Sequence, residues 1–281
     1  MRLTCPLLIR LAFLISVLCP GFVSGQDTEE WVDAIIKAQD RRTPIPALAG
    51  QSYGASERDA YLVQRELIER RVAEGDEVVG HKAGLTSEAA QAKFDVFEPV
   101  AGSLLKSQVK KTATFVSLRQ LKGAMIEMEI GFELKLSIRS APRDVEELKG
   151  FVRQIVPVVE IPNIYFDPAD RVTGADIIAS NVAAAVVIKG RPKPVDSVNL
   201  KELQVSLSRN NEEVSLGDGA DAMGDPWEAL LWLVQQRLRE GYEVKRDDLL
   251  ITGALGEVVP GETGRYVADF GRLGRVTFSM R

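Results

Sequence analysis

The sequence predicts an α+β protein, and three observations carry that prediction. Apolar residues recur at helical spacing in the third of the chain that follows residue 25; from about Val78 short apolar runs of strand length alternate with glycine and proline; and two later helices can be placed by their caps. In chain order, the first helix opens with Asp27 as N-cap, Glu30 three residues on, and Trp31, Ile35 and Ile36 as its apolar stripe. The second takes Ser56 as cap, Tyr61, Leu62, Leu67 and Ile68 as stripe, and Gly75 as its stop. Later helices are expected over 144–155 and 226–240, the second with Asp225 as N-cap, Pro226 in the first turn and Gly241 beyond the end. Asn210-Asn211, between Leu203-Val205-Leu207 and Val214, reads as a tight hairpin turn. The division that follows is a signal segment over 1–25, a helical region over 26–77 and a β-rich catalytic body over 78–281.

The signal reading rests on Arg2 and Arg10, on an apolar stretch from Leu11 to Leu18 broken only by Ser16, and on small residues at Val23 and Gly25 before Gln26. That stretch is too short to span a bilayer, so a cleaved leader and a periplasmic or secreted protein are expected, with an uncleaved anchor as the alternative. Both cysteines, Cys5 and Cys19, fall inside it. A processed chain would then hold no thiol, which excludes disulfides and cysteine-ligated metal. With 40 acidic against 35 basic residues and a net charge of −5, nucleic acid is not an expected partner.

The stretch from Ala124 to Ile138 alternates Ile126, Met128, Ile130, Phe132, Leu134 and Leu136 with Glu127, Glu129, Gly131, Glu133 and Lys135, the pattern of a long half-buried strand. Period two puts Glu127 and Glu129 on one face, about 6.6 Å apart at roughly 3.3 Å per residue, close enough to converge on one cation. Taken alone, the pair reads more readily as a solvated outer face. Glu160 shifts the balance, because it sits in the apolar run Val156-Pro157-Val158-Val159-Glu160-Ile161 with no basic residue between Arg153 and Arg171. A buried, unpaired carboxylate costs several kcal/mol. A hard divalent cation, Mg²⁺ or Mn²⁺, would satisfy Glu127, Glu129 and Glu160 together. Zinc suits the chain less, since it offers a single histidine.

Lys82, in Gly80-His81-Lys82-Ala83-Gly84-Leu85-Thr86, is a candidate anion clamp or proton carrier, with an ordinary surface lysine as the alternative. The strand-to-turn segment from Asp248 to Leu255 puts Thr252 and Gly253 where backbone N–H groups could take a carboxylate.

In order along the chain, G-x-K-x-G-L-T at Gly80 to Thr86, Pro99 with Gly102, E-x-E-I at Glu127 to Ile130, V-P-x-x-E at Val156 to Glu160, Asn181, the turn at Asn210-Asn211 and D-x-L-x-T-G-A-L at Asp248 to Leu255 resemble the 2-keto-4-pentenoate hydratase family. That family lies within the fumarylacetoacetate hydrolase superfamily, which also holds 4-oxalocrotonate decarboxylase. The resemblance implies a helical N-terminal region packed on a mixed β-barrel or roll. It also implies metal carboxylates at Glu127, Glu129 and Glu160, an active-site lysine at Lys82, and substrate contacts from Thr252 and Gly253. The implied reaction is metal-dependent addition of water to a 2-hydroxy-2,4-dienoate in aromatic catabolism, by a homo-oligomer. Val100, where a family aspartate is common, and Ser180 before Asn181 depart from the pattern. They keep decarboxylation of a 2-oxo diacid, or acylpyruvate hydrolysis, open as alternatives. A non-catalytic oxo-acid-binding protein is the reading from a different class.

Overall fold

The fold is that of a computed structural model, which describes residues 25–47, 49 and 55–281. The segment 1–24, on which the export expectation rests, lies outside the described residues. Helix α1 (Gly25–Arg41) carries Asp27 inside its first turn, so Asp27 does not cap it, and the expected cleavage point before Gln26 falls within the same turn. Helix α2 (Glu57–Ala73) starts at a capping box: the Ser56 hydroxyl accepts the Asp59 N–H while the Asp59 carboxylate accepts the Ser56 N–H. It ends before Gly75, whose φ of +104° suits a residue without Cβ.

The chain continues through β1 (Val78–Gly84), α3 (Glu88–Lys93), β2 (Val100–Leu105), β3 (Val109–Lys111), β4 (Thr114–Val116), β5 (Met125–Leu134), α4 (Val145–Lys149), β6 (Val152–Ile161) and α5 (Gly174–Ala179). Then come β7 (Val186–Lys189), β8 (Gln204–Arg209), β9 (Glu212–Asp218), α6 (Pro226–Arg239), β10 (Leu249–Ile251), β11 (Leu255–Pro260), β12 (Gly264–Asp269) and β13 (Arg275–Met280). The larger sheet runs β2-β1-β10-β5-β6-β7-β3, with β11 also paired to β5; the smaller runs β4-β13-β12-β8-β9. Both are mixed: β1 with β10, β3 with β7 and β4 with β13 are parallel, and the other pairs antiparallel.

Three sequence expectations need correction. The helix expected over 144–155 is only α4, and β6 takes over at Val152. Its β-branched run Val152, Ile155, Val156, Val158 and Val159 is buried and paired to β5, with β7 added on the other edge from Val158, which outweighs a fortuitous helical stripe. The strand at Glu127 stops at Leu134 and is buried on both faces from Met128 onward, not half-solvated. The short helices α3 and α5 have no counterpart in the expected pattern. Other local expectations match. Asp225 caps α6 by accepting the Trp227 N–H at 2.9 Å, and Asn210 and Asn211, at φ 52° and 71°, make the turn from β8 to β9.

The register of the larger sheet decides what faces what. Cα pairs Lys82 with Ile251, Ile251 with Gly131, Glu127 with Glu160 and Glu160 with Val187 put these residues on one face. On that face Leu104, Val156, Val158, Leu249 and Ile251 form an apolar cluster. The other face presents His81, Ser103 and Phe132, next to α6 and α2. Trp227 of α6, half-buried, packs against the core with its ring centroid 4.8 Å from that of Phe132.

Candidate active site

The site is built where β5 changes partner. On one edge β5 pairs β6 throughout; on the other it pairs β10 up to Gly131 and β11 from Met128, and the turn Thr252-Gly253-Ala254 spans the gap. Glu127 and Glu129 project from β5, and Glu160 stands opposite Glu127 on β6. Among the described residues these three form a group in which one carboxylate oxygen from each lies within 4.8 Å of the others. Glu129 and Glu160 are fully buried, and Glu127 is half-buried beside the cleft.

Lys82 reaches the group from β1, itself 2% exposed. Its Nζ donates to Glu160 Oε1 at 2.6 Å and to the Val182 carbonyl at 3.0 Å. Glu160 thus has a cationic partner in the protein itself, while the three carboxylates together still outnumber it. Lys82 is remote from Glu160 in sequence and is brought to it across β10 and β5. The carbonyl comes from an unusual segment, for Asn181, Val182 and Ala183 all lie in the left-handed region at φ 60°, 52° and 53°. A β-branched residue in that conformation costs of order 1 kcal/mol or more and persists only when its surroundings hold it. They do: the Asn181 side chain clamps Ser103 on β2, accepting its N–H at 2.8 Å and donating to its carbonyl at 2.9 Å. Gly102 permits the approach, since a Cβ there would lie 3.2 Å from the Lys82 side chain.

Thr252 and Gly253 use their donors inside the protein. The Thr252 hydroxyl donates to the Ile130 carbonyl at 3.2 Å, and the Gly253 N–H to Glu129 Oε2 at 2.6 Å. Gly253 sits at φ +95°, and a Cβ there would fall 2.4 Å from Thr86 Oγ1, so the two glycine-rich motifs of the sequence meet at this point. Val100 packs in an apolar cluster with Val63, Ile178 and Val182, and the Ser180 hydroxyl donates to the Ile177 carbonyl.

The electrostatics are those of crowded anions. Burial, then Glu160, pushes Glu127 up to about 7. Burial, then Glu160 and Glu127, raises Glu129 well above the usual carboxylate range. Burial alone would lower Lys82, but Glu160, Glu127 and Glu129 outweigh it and hold the ammonium above its ordinary value. Two carboxylate oxygens, Glu129 Oε1 and Glu160 Oε2, are buried without a hydrogen-bond partner. Three carboxylates, two of them with an orphaned oxygen and only one lysine to offset their charge, have the charge and oxygen chemistry that fit a hard divalent cation.

The fold is shared with solved enzymes of oxo-acid chemistry. The structure of 4-oxalocrotonate decarboxylase from Pseudomonas putida G7, complexed with magnesium and adipate, matches with a TM-score of 0.87 at 24% identity, over 92% of this chain and 99% of that one. In sequence, the 2-keto-4-pentenoate hydratase of Paraburkholderia xenovorans (strain LB400) is 31% identical over 244 residues, 86% of this chain and 90% of that protein. The 2-oxo-hept-4-ene-1,7-dioate hydratase of Escherichia coli is 26% identical over 248 residues, 86% of this chain and 93% of that protein. No family model matches the sequence. The chain belongs to the 2-keto-4-pentenoate hydratase family and is an enzyme of the hydro-lyase type.

That membership overturns the periplasmic or secreted location. The chain groups with proteins named as hydratases, and the segment 1–24 on which the location rested lies outside the described residues. No helix of the described residues is long and apolar enough to cross a membrane.

Proposed function

We propose that the protein is a divalent-metal-dependent hydratase that adds water to a 2-hydroxy-2,4-dienoate such as 2-hydroxypenta-2,4-dienoate, giving a 4-hydroxy-2-oxo acid. The observation that carries this is the pair of orphaned, buried oxygens, Glu129 Oε1 and Glu160 Oε2, within a three-carboxylate group in a member of a hydratase family. Glu127, Glu129 and Glu160 hold the ion, Mg²⁺ or Mn²⁺ by oxygen preference. When bound, such an ion supplies Lewis-acid stabilisation to the acid end and 2-oxygen of the substrate. Magnesium in the related decarboxylase structure is consistent with that choice.

Lys82 is the catalytic residue in this reading. Two of its N–H groups are held by Glu160 and Val182, which aims the ammonium at the cleft it lines. There it can grip the substrate carboxylate or move a proton at Nζ. The Gly253 N–H fixes Glu129 through Oε2 and the Thr252 hydroxyl braces the same turn on the Ile130 carbonyl, so these two residues would serve the substrate's acid end by orienting a carboxylate that would hold the ion. We assign 78–281 as the catalytic body and 26–77 as a helical cover, in which Tyr61 and Gln64 of α2 bond the backbone of Ala101. A homo-oligomer is the expected working form.

The test is loss of dienol absorbance from 2-hydroxypenta-2,4-dienoate with Mg²⁺, with Mn²⁺ and with chelator. Metal-dependent loss yielding 4-hydroxy-2-oxopentanoate is expected, and Glu160→Ala should remove both tight metal binding and turnover. Retention of both by that variant would rule out the ligand role. A second reading, decarboxylation of a 2-oxo diacid, draws on the fold likeness to 4-oxalocrotonate decarboxylase; carbon dioxide release from such a diacid, with no hydration of the dienoate, would establish it instead.

A further inference from the structure

The cleft over the glutamates has a volume of about 930 Å³. Cavities of that size hold molecules of drug dimensions, and a five-carbon acid gripped at Lys82 and Glu127 fills only its inner end. The outer end is therefore free to recognise whatever the substrate carries beyond its diene.

That outer end is apolar and acidic. Phe94 forms one wall, and Leu216 of β9 and Val258 of β11 form another. Leu216 is 60% exposed and Val258 39%, so apolar surface is offered to the cleft and not hidden in the core. Their closeness is built in: β9 and β11 approach through paired glycines, and a Cβ on Gly217 would lie 2.4 Å from the Gly256 nitrogen. Beside them stand the exposed carboxylates Asp218, Asp221 and Glu257. Asp221 is fixed, its Oδ2 accepting the N–H groups of Asp218 at 2.8 Å and Gly256 at 2.9 Å. Apart from Lys82, the basic side chain in the lining is Lys93, exposed and lying 5.2 Å over the Phe94 ring.

We propose that this cleft selects dienoic acids with a long, neutral, apolar tail and rejects those with a second carboxylate at the far end. The inference rests on the reading that the substrate's acid end sits at Lys82 and the glutamates. A tail carboxylate would enter among three like charges opposed by one solvated lysine, and such juxtaposition is how a site excludes a competitor. An alkyl or aryl tail would instead cover the exposed Leu216 and Val258, with about fourfold in affinity for each methylene fully buried.

Binding tests this apart from turnover. The probes are 2-oxopentanoate, 2-oxononanoate and 2-oxoheptanedioate, titrated calorimetrically into the Mg²⁺-loaded protein, with kcat/KM for the matching 2-hydroxy-dienoates alongside. The expected order is 2-oxononanoate tightest, by at least about tenfold over 2-oxopentanoate since its four extra methylenes are buried only in part, with 2-oxoheptanedioate weakest. Leu216→Arg, on an exposed position of β9, should shift the ratio of diacid to neutral affinity at least about tenfold toward the diacid. A diacid bound as tightly as 2-oxononanoate by the unaltered protein, or a ratio unmoved in Leu216→Arg, overturns the tail selection even if hydration is observed. The expected binding order without any hydration leaves tail selection standing and removes the hydratase reading. No binding of any of the three removes both.

Discussion

His81 and Lys82 are neighbours on β1, both buried, and the two faces of the strand treat them in opposite ways. On one face Lys82 meets three crowded carboxylates, two of whose oxygens lack a partner. On the other, His81 accepts from Arg237 Nε at 3.2 Å and its second ring nitrogen meets the Glu243 carbonyl at 3.1 Å. Arg237, fully buried in α6, also donates to Gln64 Oε1, Glu240 Oε2 and Ser103 Oγ, and lies 3.5 Å over the Tyr242 ring. One cluster is charged and balanced. The other is charged and left unbalanced, and that imbalance of charge marks chemistry, whereas the His81 cluster, though its Tyr242 hydroxyl also lacks a partner, closes its charges and marks architecture.

The largest expected contrast comes from removing charge on each face. Glu129→Gln should lower turnover more than about 100-fold, above the 10- to 100-fold typical of a residue that only orients a ligand. It should also leave the metal-free fold as stable as before or about 1 kcal/mol more so, because it relieves repulsion. Arg237→Met should do the reverse. It leaves Glu240, Gln64 and Ser103 without their partner and should cost about 3–5 kcal/mol in urea unfolding, while the folded fraction keeps its metal affinity. A stable Arg237→Met protein would erase the distinction between the faces.

His81 sharpens it through pH. Burial first, and then the Arg237 charge, lowers it from 6.5 to about 3, so the unfolded chain takes up a proton that the folded chain refuses. The stability that follows is complete above about pH 6.5 and falls by about 1.4 kcal/mol per pH unit as pH drops toward 3. Between pH 7 and 5 the loss should be about 2 kcal/mol, and His81→Gln should abolish that share of it in paired denaturation curves. The smallest effect is expected at Ser103, which touches both faces. Ser103→Ala removes one acceptor from Arg237 and should cost about 1 kcal/mol, with the Asn181 clamp intact because it holds the Ser103 backbone.

Much of this was legible in the sequence, for local physical reasons. Period two alone places Glu127 and Glu129 together, and the apolar run around Glu160 announces a carboxylate in need of a partner. Ser56, Asp225 and the Asn210-Asn211 turn are recognisable because caps and hairpins are decided within four residues. The helix over 144–155 failed because its Leu148, Val152 and Ile155 spacing fits a helix, while pairing with β5 and β7 decides for a strand. Lys82 as the partner of Glu160 was out of reach, because that contact depends on β10 and β5 lying between their strands. So was the Val182 carbonyl, whose backbone conformation is imposed by a clamp on Ser103. Arg237 gave no signal at all: within its helix it reads as one more surface arginine.

The most direct test of the account is an Mn²⁺ titration of the metal-free protein followed by electron paramagnetic resonance. The account predicts one tightly held ion per chain, lost in Glu160→Gln and untouched in Ser103→Ala. An ion held equally well when Glu127, Glu129 and Glu160 are all changed to glutamine would contradict it.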